Sequence, residues 1–203
     1  MSLGQQASAV TFVNNFFLED EGSRDVEFTS WVGSSFTTGS GAYSLESADV
    51  SFRQSGTITN NNLFLSLYSN NSGTPGTLIT TFTNPTLPLP ETFTNLTFTL
   101  ATPQSLTAST TYWLVSGILS GTTGAYQWTY TNDDSEIGLP GWSIGSTYAT
   151  STNQGNSWTT AASSLRFSLE GTEQSQSIPE PSSLVALLGL GGLGLVSSLK
   201  KRK

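Results

Sequence analysis

The sequence predicts an all-β fold: an antiparallel β-sandwich or jelly-roll-like domain, then a linker and a single C-terminal hydrophobic helix. Three observations carry that prediction. Apolar residues recur with a period of two between Val10 and Gly171. Turn-forming residues interrupt those runs at short spacing. One uncharged apolar run stands apart near the C-terminus and ends in Lys200, Lys201, Arg202 and Lys203.

Residues 1–9, MSLGQQASA, contain no basic residue and no apolar run, so they lack the front of an export signal. Ala7-Ser8-Ala9 nevertheless fits the small-x-small pattern of a signal cleavage site. The expectation is a signal-peptide remnant or a disordered N-terminus, with the true start upstream of Met1. From residue 10 to 171 the pattern is that of strands. Ala48, Val50 and Phe52 alternate with polar neighbours, and Leu63, Leu65 and Leu67 recur at the same spacing. Leu96, Phe98 and Leu100 repeat the pattern, then Tyr112 and Leu114 with Val115 close by, then Leu165, Phe167 and Leu169. Alternation over such short runs marks half-buried antiparallel strands. The breaks carry turn chemistry: Asn70-Asn71-Ser72-Gly73, Pro75-Gly76, Pro85 to Pro90, Asn132 to Asp134, and Gly155-Asn156. About eight to ten strands fit this length and spacing. Residues 172–178 are polar and read as a linker.

Composition narrows the chemistry. Only 10% of the 203 residues are charged, and there is no Cys and no His. That removes disulfides, thiolate metal sites, a Cys nucleophile and a Ser-His-Asp triad. Residues 1–178 hold Arg24, Arg53 and Arg166 as their only cations, against thirteen of the fourteen acids. A body so acidic lacks the basic footprint that nucleic acid or an anionic membrane surface requires.

The tail has three parts in order: Pro179-Glu180-Pro181, the uncharged span 183–199, and the basic end 200–203. As a helix at about 1.5 Å per residue the span is roughly 25 Å long, near the lower limit for crossing a bilayer. The four cations act as a membrane stop and stay on the cytoplasmic side by the positive-inside rule. Residues 1–178 then lie across the membrane from the cytoplasm. Gly189-Leu-Gly191-Gly-Leu-Gly194 has the spacing of a dinucleotide fingerprint, but the strand, helix and distant acid that fingerprint needs have no room here.

This order resembles the PEP-CTERM sorting signal of Gram-negative bacteria. The resemblance implies export, a membrane intermediate held by the C-terminal helix, and processing at Pro179, Glu180 and Pro181 by an exosortase. It further implies a final place at the cell surface or in the extracellular matrix, in association with exopolysaccharide. Within the body, SSFTTGSGAYSLESADVSF, LFLSLYSNNSGTPGTLI and LTFTLATPQSLTASTTYWLVSG occur in that order. They are similar to the choice-of-anchor R domain over about residues 31–170. That resemblance implies a bacterial surface β-domain and supplies no catalytic residues.

The candidate sites are few. Tyr126, Trp128 and Tyr130 fall on one face of a strand, which is the core face or, alternatively, a surface for stacking sugar rings. Trp142 and Trp158 lie in Gly/Ser-rich surroundings that leave core and surface both open. Asp133, Asp134 and Glu136 offer oxygen ligands for Ca²⁺ without the EF-hand spacing, or form a solvated turn. The preferred function is therefore a non-enzymatic surface or matrix protein. The alternative is a carbohydrate-binding module, and a carboxylate-dependent glycoside hydrolase comes third.

Overall fold

Residues two apart on an extended chain share a face, and one buried face is what each alternating run demands. In the computed structural model, which describes residues 8–58, 62–87, 89–120 and 124–174, that demand is met by antiparallel pairing throughout. The strands in chain order are β1 (Val10–Asn14), β2 (Gly22–Val26), β3 (Trp31–Thr37), β4 (Tyr43–Ser55) and β5 (Leu63–Asn71). There follow β6 (Thr74–Thr81), β7 (Thr94–Leu106), β8 (Thr111–Ile118), β9 (Ala125–Thr131) and β10 (Ile137–Gly138). The last four are β11 (Ser143–Ser151), β12 (Thr159–Ala162), β13 (Ser164–Leu165) and β14 (Phe167–Glu173). Among the described residues there is no helix, and so none long and apolar enough to cross a membrane.

Two sheets form. The first has eight strands, in the order β10-β1-β14-β4-β9-β13, with β2 added on β9 and β7 on β4. The second has six, in the order β12-β11-β3-β8-β5-β6. The long β4 organises the first sheet. One of its edges is covered by β7, and the other passes from β14 at Tyr43–Val50 to β9 at Phe52–Ser55.

The inner faces of both sheets share one core. Phe12, Leu45, Val50, Phe52, Phe98, Trp128 and Leu169 of the first sheet join Val32, Phe36, Leu65, Leu67 and Leu114 of the second. The sheets touch directly where Phe36 meets Phe167 edge-on at 6.4 Å. Burial of one such side chain contributes about 1.5–3 kcal/mol, so this interior is what holds the sheets together.

The strand count exceeds the expected eight to ten. The additional pieces are short and defined by backbone pairing. β12, Thr159–Ala162, is exposed at every position, and β10 and β13 have two residues each. No apolar alternation announces β10 or β12, and β13 carries only Leu165, the first residue of the run that continues in β14. The predicted linker also starts too early. Thr172 and Glu173 pair with Ser44 and Tyr43, and Gln174 N–H donates to Ala42 O at 2.9 Å. Backbone bonds need no apolar side chain, so a polar stretch can continue a strand. The expected helix at 183–199 and the N-terminal residues 1–7 lie outside the described residues.

Candidate functional site

The second sheet is covered on its outer side as well. On β8, Tyr112, Leu114 and Ile118 enter the core, while Trp113 and Val115 point the other way and are also buried. Phe64 and Ala149 join them, with Trp31, Tyr68 and Trp158 packed around. Trp31 lies over Gly117, where any Cβ would fall inside its indole. Its ring meets Phe64 edge-on at 4.7 Å. Burial raises the Tyr68 phenol above its ordinary value. This outer layer supports two neighbouring depressions.

The larger is a groove of about 570 Å³. One wall is the β5–β6 hairpin, residues 69–71 and 74–77; the other is the β11–β12 loop, residues 155–158. Ser72 and Gly73 turn the hairpin with φ of 52° and 87°, the left-handed pair of a type I′ turn. The hairpin folds back over the sheet at Gly33, whose missing Cβ would stand 3.6 Å from Pro75 Cγ.

Each wall is held by its own hydrogen bonds. Asn70 Oδ1 accepts from Trp113 Nε1 at 2.9 Å and from Gly73 N at 3.2 Å. Ser69 Oγ accepts from Thr77 N at 2.9 Å. In the facing loop Asn153 is the hub. Its Oδ1 accepts from Ser151 Oγ and Ser157 N, both at 2.9 Å, and its Nδ2 donates to Ser157 Oγ at 2.8 Å. Gly155 N donates to Ser151 Oγ at 2.8 Å. Trp158 lines this wall half-buried. The smaller depression, about 250 Å³, is apolar; Trp31, Phe64 and Tyr68 line it with the exposed Leu78 and Leu119.

Of the four aromatics considered as sugar contacts, Tyr126, Trp128 and Trp142 take the core alternative. Tyr126 and Trp128 are 0% exposed on the inner face of β9, and Trp128 Nε1 donates to Arg166 O at 2.9 Å. Tyr130 is half-buried, with the Arg24 guanidinium between it and Tyr148 at 4.7 and 4.5 Å. Trp142 is also buried, stacked on Phe12 at 4.6 Å and facing Phe36. Trp158 alone of the four reaches a groove.

The acidic turn is largely exposed. Asp133, Asp134 and Glu136 do not converge: among the described residues no three His, Cys, Asp or Glu side chains could hold one metal ion. Asp133 Oδ1 accepts from Ser135 N at 2.8 Å, and the bonds from Ser135's side chain and backbone lower its pKa from 3.8. Nearby, Glu21 accepts from Asn132, and Asp20 pairs with Arg166 at 3.3 Å. These carboxylates brace loops.

Pro179, Glu180, Pro181 and the basic residues Lys200, Lys201, Arg202 and Lys203 lie outside the described residues. Comparison of sequences decides what they are. Residues 177–203 match the PEP-CTERM protein-sorting motif. The motif implies export, a membrane-anchored intermediate and processing by an exosortase before surface localisation. The matched stretch begins three residues beyond Gln174, the last described residue, whose N–H donates to Ala42 O. No curated protein matches the chain.

The groove was not foreseen. Its walls come from distant parts of the chain, and the turn signals at 70–73 and 155–156 give no hint that they meet. The one usable signal was the unbroken Tyr112-Trp113-Leu114-Val115, because a strand apolar on both sides is covered on both sides.

Proposed function

We propose that the chain is a non-enzymatic surface or extracellular-matrix protein. An exosortase removes its tail and passes the sandwich to the exopolysaccharide outside the cell. The observation that carries this reading is the PEP-CTERM match at residues 177–203. Pro179 and Pro181 hold the processing segment extended, since neither can sit inside a helix. The uncharged span 183–199 enters the bilayer, where a helix is the way to satisfy its backbone. The basic end stops it there. The sandwich is assigned to the choice-of-anchor R type on Ser66–Gly76 and Thr110–Leu114, which form a hairpin and a central strand of one sheet. A non-enzymatic role is supported by a sequence without His or Cys.

Glu180→Ala tests the sorting step. The expected outcome is uncleaved protein retained in the inner-membrane fraction. Unchanged cell-surface recovery with unchanged processing would contradict it, because a plain membrane anchor has no use for one interfacial carboxylate.

A further inference from the structure

The groove between the β5–β6 hairpin and the β11–β12 loop has no charged residue in its lining. Its groups are amides and hydroxyls beside one indole. Several are unused by the fold. The Asn71 side-chain amide and the Thr77 hydroxyl have no hydrogen-bond partner among the described residues, and both residues are exposed. Asn70 spends its carbonyl oxygen on Trp113 and Gly73 and keeps its NH₂ free. Asn156 donates Nδ2 to Asn153 O and keeps its carbonyl oxygen. Ser157 Oγ accepts from Asn153, which leaves its proton to donate.

We infer that this groove is a binding site for a neutral, hydroxyl-rich oligosaccharide. Four features select that chemistry. A ligand with charge finds no counter-charge here, and burying it unpaired costs free energy. Vicinal hydroxyls both donate and accept, and the free amides and hydroxyls do the same. A pyranose also has an apolar C–H face, which the part-exposed Trp158 can cover. The walls are fixed beforehand by Asn70, Ser69, Asn153 and Ser151, so little ordering is left for binding to overcome. The volume lies in the ~300–1,000 Å³ range of small-molecule sites. The groove rests on the matrix reading only for where the ligand is met; the binding itself is a property of the sandwich.

The test uses the full chain, purified in a polyoxyethylene detergent that carries no sugar. Cellohexaose, laminarihexaose, mannohexaose and maltohexaose are titrated calorimetrically, with a hexa-uronate and an alternating Ser/Thr hexapeptide as controls. At least one neutral hexasaccharide is expected to saturate at millimolar concentration or below. Trp158→Ala is expected to weaken it about tenfold, the loss of one aromatic contact. Asn71→Ala is expected to weaken it about threefold while thermal unfolding stays unchanged. Should Trp158→Ala fail to fold, Asn71→Ala decides, because its amide holds nothing in the fold. Saturation by none of the four sugars, preference for the uronate or the peptide, or wild-type affinity in the deciding variant overturns the inference. Sugar binding by a chain that cells leave unprocessed would sink the sorting account and leave this site standing, and the reverse result would do the opposite.

Discussion

Tyr126 and Trp128 stand two apart on β9, both wholly buried, yet they are satisfied differently. Trp128 Nε1 has its partner in Arg166 O, whereas the Tyr126 hydroxyl has none among the described residues. Burial raises the Tyr126 pKa and keeps it a neutral phenol. Removing the unpaired hydroxyl by Tyr126→Phe is expected to leave stability unchanged or raise it by about 1 kcal/mol. Trp128→Ala leaves a cavity and is expected to cost about 3–5 kcal/mol. Urea unfolding of the two variants checks both; a destabilised Tyr126→Phe would mean that the hydroxyl has a partner. Alternation made this core face legible in the sequence. It could not separate Trp142 from Trp158, both set among Gly and Ser. Trp142 follows Gly141, whose φ of 81° turns the chain back so that the indole stacks on Phe12. Trp158 follows a loop whose Asn153 hydrogen bonds hold it at the outer layer. Turn geometry decided burial, and composition does not encode it.

Among the elements, β4, β5, β7 and β14 were visible because each has apolar residues recurring at every second position. β8 was visible for another reason, its continuous run, although only the structure shows what covers its outer side. β10 and β12 left no mark, since pairing through backbone groups places no demand on side-chain type, and β13 was visible only as Leu165 at the head of the run that continues into β14. The end of β14 belongs with them. Thr172, Glu173 and Gln174 bond to Ser44, Tyr43 and Ala42, so they stabilise the sheet although they read as linker. A chain ending at Gly171 is therefore expected to melt several degrees below one ending at Gln174, since loss of two or three net hydrogen bonds at about 1 kcal/mol each is a large share of a domain's stability. Equal melting temperatures in a thermal scan would return those residues to the linker.

At the scale of the whole molecule, the first and last described strands are neighbours: β1 pairs with β14, and β14 with β4. The described sandwich thus closes on itself before the sorting motif begins at residue 177. Two facing antiparallel sheets follow from the number and period of the strands. Their order did not, and neither did the groove. Both depend on which long-range pairs form and on the hairpin crossing Gly33, where a Cβ would just touch Pro75 at 3.6 Å. The tail needed no structure to be read, because its signal is an order of residue types along the chain. The most direct test is the intact mass of the mature protein recovered from the cell surface. The expected chain ends near Pro179–Pro181, with or without an added group. A surface chain that still ends in Lys203 would contradict the account.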